Sequence, residues 1–315
     1  MKFEDVENAR KAYNDKKSRI KKKAIPICLA VEIVVVVLYV LLNYRSFQNI
    51  SRIFNSASIA FAMPFIIAAI FMILLPIIIV SIVISLSTKK ELLQYKKSYK
   101  GYFVGQSLER TFSNVKYNHD AGLDRQALIE TGMIYTGDRY SSNDLTVGKY
   151  KDVTFAQADV HIEEEYKDDD GNTHYRTIFM GRFMIFEFPK KFNSKLMLTH
   201  KSWISHKASK IMKRIETESI EFNKYYSIYA EDGMEAFYIL TPDFMERAQE
   251  LGKTHNDKVS FYFTENKMIV GINDGNDAFE PPNPKNPIDE KTETEKINKE
   301  INSVIHIIDS LKLNR

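Results

Sequence analysis

The chain has one cysteine, Cys28, so no disulfide framework can brace it, and its soluble part fits a reducing compartment. It has neither a G-x-x-x-x-G-K-[ST] loop nor a G-x-G-x-x-G turn, which removes the backbone donors that cradle nucleotide phosphates in those two ways. Charge is scarce in two places. Ala24 to Leu42 is 19 residues with Glu32 as its one charge, and Ile59 to Leu86 is 28 residues with none. A helix needs about 20 apolar residues to cross about 30 Å of hydrocarbon, so both runs are long enough to span. In lipid the backbone must bond itself as a helix or a closed barrel; neither run alternates as a barrel strand would, so two helices are expected.

Basic residues are also sparse between the runs, where Asn43 to Ser58 carries Arg45 and Arg52. The outer flanks are rich in them. Lys16, Lys17, Arg19, Lys21, Lys22 and Lys23 precede the first run, and Lys89, Lys90, Lys96, Lys97 and Lys100 follow the second. This bias predicts a multi-pass protein of the cell membrane, with both termini cytoplasmic and a short outer loop. Lys21, Lys22, Lys23, Lys89 and Lys90 are expected to face anionic headgroups, each adding about 1 kcal/mol near the surface. A cleaved leader is disfavoured, because a long charged stretch precedes the first run and no small-residue cleavage motif follows it.

Glu32 is the ionisable carboxylate inside the expected hairpin. Such a group faces a protein interior, pairs with another group or marks an ion path. The favoured reading is tolerated burial or snorkelling to the cytoplasmic end, about 12 Å away at 1.5 Å per residue. The other reading is a small oligomeric channel or transporter that uses Glu32. In the second run Ser81 and Ser85 are the main polar side chains, and Pro64 and Pro76 are expected to kink the helix.

A net charge of +3 averages two unlike parts. Residues 1–23 read as a basic amphipathic helix, with Phe3, Val6, Ala9, Tyr13 and Ile20 at helical spacing. Residues 24–87 are the hairpin, with spans at 24–42 and 59–86, and residues 88–112 read as a juxtamembrane helix. Residues 113–282 form an α+β domain on the cytoplasmic side, an antiparallel sheet flanked by helices. Residues 283–315 are a proline-rich linker and a C-terminal amphipathic helix, marked by Ile297, Ile301, Val304, Ile305, Ile308 and Leu311.

Within the domain, Val153 to Tyr166 and His174 to Phe188 read as a hairpin around an Asp-Gly turn, its second arm central and covered on both faces. Val259 to Asn273 reads as another hairpin, turning at Glu265, Asn266 and Lys267. Thr241, Pro242 and Asp243 supply an N-cap, a first-turn proline and an early acid for a helix to Leu251, with Gly252 as the stop. A short helix is expected from near Asp120 to Gly132, a strand from Ile220 to Tyr229, and another from Met234 to Leu240.

Chemistry is harder to find. Asp168, Asp170 and Gly171 look like part of a calcium loop, but aligning the glycine puts Tyr166 at the first ligand position and Thr177 at the last, so that reading fails. His161 with Glu163 or His174, and His200 with His206 near Trp203, are weak metal pairs that read more simply as a solvated face. Lys190, Lys191, Lys195, Lys201, Lys207, Lys210, Lys213 and Arg214 read first as a solvated face and next as a lipid-facing one; nucleic acid is disfavoured. No catalytic constellation, metal site or cofactor is expected, which favours a non-enzymatic role while leaving enzymatic activity open.

The soluble part resembles a bacterial membrane-protein family catalogued as domain of unknown function 3137. The likeness is carried by Ser142-Asn143-Asp144 with Gly148-Lys149-Tyr150, Phe179-Met180-Gly181-Arg182-Phe183 with Phe188-Pro189-Lys190-Lys191-Phe192, Tyr226 to Asp232, Tyr238 to Pro242 and Phe279-Glu280-Pro281. It covers residues 90–282 and the preceding hairpin. The resemblance implies the architecture and no activity. The expected function is therefore a membrane-anchored binding or scaffold module whose partners are the lipid bilayer and a protein partner or a homo-oligomer.

Overall fold

The computed structural model describes residues 1–42, 59–135, 137–188, 191–200, 212–256 and 258–312, without the side chains of residues 40, 42 and 59–73. The loop at 43–58, with Arg45 and Arg52, lies outside the described residues, as do Lys190, Lys201, Lys207, Lys210, Trp203 and His206. The chain divides into two compact units, Met1–Tyr99 with Pro282–Ile288, and Lys100–Pro281 with Asp289–Arg315.

The first unit is built on α1 (Phe3–Leu42) and α2 (Ile59–Tyr99), which pack along one another. The expected amphipathic helix and first span are thus one rod, opened by Glu4 and Asp5 in the favourable first turn. Val6 and Tyr13 are buried on its amino-terminal half. Arg10 and Asn14 donate to the Pro284 carbonyl at 3.2 and 2.6 Å, Tyr95 donates to that of Pro282 at 3.0 Å, and Lys16 pairs with Glu91 at 2.8 Å. Further along, apolar side chains point outward. Ile27, Val31, Ile33, Val34 and Leu41 of α1 and Leu74, Ile77, Ile78, Ile82 and Leu86 of α2 are all exposed. Among the described residues no helix is long and apolar enough to cross a membrane. The described side chains cover only part of each apolar run, beginning at Leu74 in the second.

The second unit opens on a π-helical turn, Lys100–Gly105, and α3 (Gln106–Thr111). Then come β1 (Ser113–Asn118), α4 (Arg125–Thr131), β2 (Arg139–Tyr150), β3 (Val153–Lys167), β4 (Thr173–Glu187), β5 (Leu196–His200), β6 (Lys213–Ile215), α5 (Ile220–Tyr225) and β7 (Tyr226–Ala230). The unit closes with α6 (Gly233–Ile239), α7 (Pro242–Thr254), β8 (Val259–Thr264), β9 (Lys267–Ile272) and α8 (Glu290–Ser310). Among the described residues the strands form a nine-stranded sheet in the order β1-β2-β3-β4-β9-β8-β5-β7-β6. Every pair is antiparallel. This is the expected α+β class.

β4 is central, as its two apolar faces require. Phe179 and Phe183 enter a core with Val160, Ile162, Met197, Tyr262 and Ile269, roofed by Leu128 of α4. On the opposite face Arg182 is held by α8, donating to the Glu300 carbonyl at 3.1 Å and to Ser303 at 3.0 Å. Gly181, with φ of +155°, is required by a close approach, since a Cβ there would lie 2.0 Å from the Ile272 carbonyl oxygen.

Four expectations are corrected. Met234 to Leu240 is not a strand but the body of α6, because Asp232 caps it by accepting from the amides of Met234 and Glu235. Ile220 to Tyr229 splits into α5 and β7, since Ser219 accepts from the Phe222 amide and starts a helix. The helix expected from Asp120 begins only at Arg125; Ala121 and Leu123 instead bond to β2, through the Leu145 amide and the Ser142 hydroxyl. Gly252 does not stop α7, which runs to Thr254. It is there for space, as a Cβ would meet the Tyr225 hydroxyl at 2.3 Å.

Candidate functional site

Asp144 lies on β2 where the register with β3 slips between Asn143 and Thr146, and its φ of +60° belongs to a kinked strand. The slip turns its carboxylate inward, to 1% exposure. Oδ2 accepts from Lys100 Nζ at 2.5 Å and from Asn143 Nδ2 at 2.6 Å, while Oδ1 accepts from the Tyr117 hydroxyl at 2.5 Å. Lys100 is itself buried, at the start of the π-helical turn whose widened winding changes the face its residues present. Lys100, counted above among the basic residues that follow the second apolar run, thus faces the interior of the sheet unit.

Two more carboxylates join. Asp159 of β3 is buried and its Oδ2 accepts from the Ala278 amide at 3.2 Å. Asp277, half-buried, lies in the loop between β9 and α8. One oxygen of each of Asp144, Asp159 and Asp277 lies within 4.8 Å of the others. Asp159 Oδ1, Asp277 Oδ1 and both amide atoms of Gln157 are buried without a hydrogen-bond partner.

The electrostatics follow from burial. Desolvation pushes the Asp159 carboxyl well above the usual carboxylate range, Asp277 beside it pushes the same way, and Arg182 opposes them. Burial also raises Asp144, against the pull of Lys100. Tyr117 is raised by burial and then by Asp144, so it serves as a neutral donor. The arrangement suits holding a proton or a cation.

The residues singled out in the sequence lie elsewhere. Glu32, half-buried on α1, lines an 830 Å³ groove in the helical unit with Lys21, Cys28, Pro76, Ser81 and Ser85. Lys21, Lys22, Lys23, Lys89 and Lys90 are exposed. His161 sits against Thr177 at 3.1 Å and His174 against Asp168 at 2.7 Å, so the two histidines have separate partners. None of these readings singled out the aspartate cluster. Its one sequence signal was an acid, Asp159, flanked by Ala158 and Val160 in the middle of an expected strand.

Residues 177–313 match a family model described as "Protein of unknown function (DUF3137)". That segment belongs to this family. The matched segment includes Phe179 to Phe183, Tyr226 to Asp232, Tyr238 to Pro242 and Phe279 to Pro281, and runs beyond the expected end at 282; Ser142 to Asp144 and Gly148 to Tyr150 fall outside it. No curated protein matches the chain. Among solved structures, the chain is similar to the crystal structure of the mycobacterial trehalose monomycolate transport factor A, TtfA, at 9% identity and a TM-score of 0.37, over 70% of this chain and 96% of that one. A likeness of that size carries no argument for fold or function.

Proposed function

We propose that the chain is a membrane-anchored binding module: α1 and α2 are its lipid anchor, and the sheet unit, on the cytoplasmic side, engages a protein partner or the inner leaflet. The supporting observation is the outward apolar surface from Ile25 to Leu41 and from Leu74 to Leu86. Contiguous apolar patches beyond a few hundred Å² are rare on water-facing proteins and mark membrane or partner contacts. The exposed Lys21, Lys22, Lys23, Lys89 and Lys90 border that surface where headgroups would lie.

Alkaline carbonate washing of membranes carrying the chain, with protease added to sealed cells, tests this reading. The anchored module stays in the pellet and its sheet unit is protected; release by carbonate or digestion from outside sinks it. Crosslinking in intact membranes then separates a protein partner from the inner leaflet. The second reading, an oligomeric channel, rests on Glu32 lining the groove with Ser81 and Ser85. In that case Glu32→Gln abolishes an ion flux across vesicles that contain the chain; an unchanged flux removes it.

A further inference from the structure

Asp144, Asp159 and Asp277 are brought to one place by three separate parts of the sheet unit. Acidic residues gather on many proteins with nothing between them, so other observations must point to a ligand. Gln157 is 1% exposed, lies two residues from Asp159 on the same strand face, and neither its amide oxygen nor its nitrogen has a partner. Buried polar side chains are seldom left unmade in a folded interior. Asp159, 5% exposed, has no donor to its Oδ1, and neither has the Oδ1 of Asp277, whose carboxyl faces that of Asp159 within hydrogen-bonding reach.

Charge points the same way. Lys100 is bonded to Asp144, and Arg182 is bonded to Glu300 at 2.8 Å and to Ser303. Asp159 and Asp277 thus meet as two carboxylates, while Lys100 and Arg182 are each paired with another acid.

We infer that this cluster binds one hard divalent cation of the calcium or magnesium kind, held by Asp144, Asp159 and Asp277 with the Gln157 amide oxygen as a neutral ligand. The donors are all oxygen, with neither imidazole nor thiolate, which suits these ions rather than zinc or copper. Oxygens bound to calcium at about 2.4 Å stand at most about 4.8 Å apart across the ion, a span these carboxylates meet. The bound ion clasps the loop before α8 to β2 and β3.

The test uses the full chain in detergent, stripped with EDTA and returned to chelator-free buffer. CaCl2 and, separately, MgCl2 are titrated while bound metal is measured by equilibrium dialysis and unfolding by thermal melt. One ion per chain is expected, with the melt raised about 5 °C at a hundredfold excess over Kd. Asp277→Asn weakens binding at least tenfold, and exposed Asp170→Asn leaves it unchanged. Gln157→Leu, which keeps the volume and removes one ligand, gives a second reading should Asp277→Asn fold poorly. The absence of a stoichiometric ion with either salt, or binding undiminished in both variants, overturns the inference.

Discussion

Between residues 25 and 41, α1 turns isoleucine, valine and leucine outward, whereas the sheet unit turns aspartate, glutamine, lysine and arginine inward. Each is costly in the wrong solvent. An outward apolar helix is stable where hydrocarbon replaces water, and an inward carboxylate is stable where a cation and hydrogen bonds replace water. The contrast teaches that burial has to be judged against the medium each unit faces, and that polar atoms inside are as informative as apolar atoms outside.

The sharpest way to break the comparison is Lys100→Met. It leaves Asp144 buried without its ammonium partner, and a loss of about 3–5 kcal/mol is expected in denaturant unfolding. Adding Asp144→Asn should recover much of that loss; if it does not, the pair is no charge compensation. On the other side of the comparison, Val34→Arg places a cation on the outward face of α1. In hydrocarbon this costs about 2.5–3.5 kcal/mol of insertion, readable as a fall in the carbonate-resistant fraction, while in water it changes stability by less than about 0.5 kcal/mol.

Asp232→Ala removes the cap that turned an expected strand into α6, and should cost about 1 kcal/mol in the same denaturant assay. The smallest effect is a slope with pH. His255 is held below its usual value by burial first and then by the Arg182 cation. The unfolded chain therefore binds the proton more readily than the folded one. Stability contributed by the neutral ring is present above about pH 6.5 and is lost as the pH falls from there toward the folded value. His255→Gln should flatten the melting temperature over that window relative to the parent chain.

Legibility in the sequence tracked how local each signal was. The Asp-Gly turn placed β3 and β4, and the Thr241-Pro242-Asp243 start placed α7, because the deciding atoms lie within a few residues. β1 and β2 went unread: Arg139 to Tyr150 is rich in serine, asparagine and threonine, and its place comes from pairing with β1 and β3 rather than from its own alternation. β5 is five residues among lysines, yet four of them are fully buried between β7 and β8. The aspartate cluster was the least readable. Its members come from a strand kink, a covered strand and a loop, and only the folded sheet makes them neighbours. Ile307 rather than Ile305 completes the buried face of α8, a shift that spacing alone does not resolve.

The seven residues Pro282–Ile288 belong to the helical unit, although sheet-unit sequence stands on both sides of them. During synthesis α1 and α2 therefore emerge before the sheet unit and wait for it to be made. Arg10, Asn14 and Tyr95 find the carbonyls of Pro284 and Pro282 only after the strands of the sheet unit have been made. A ribosome that stalls before that point releases a pair of helices lacking their last fastening, so termination anywhere between Lys100 and Pro281 leaves the helical unit unfinished as well.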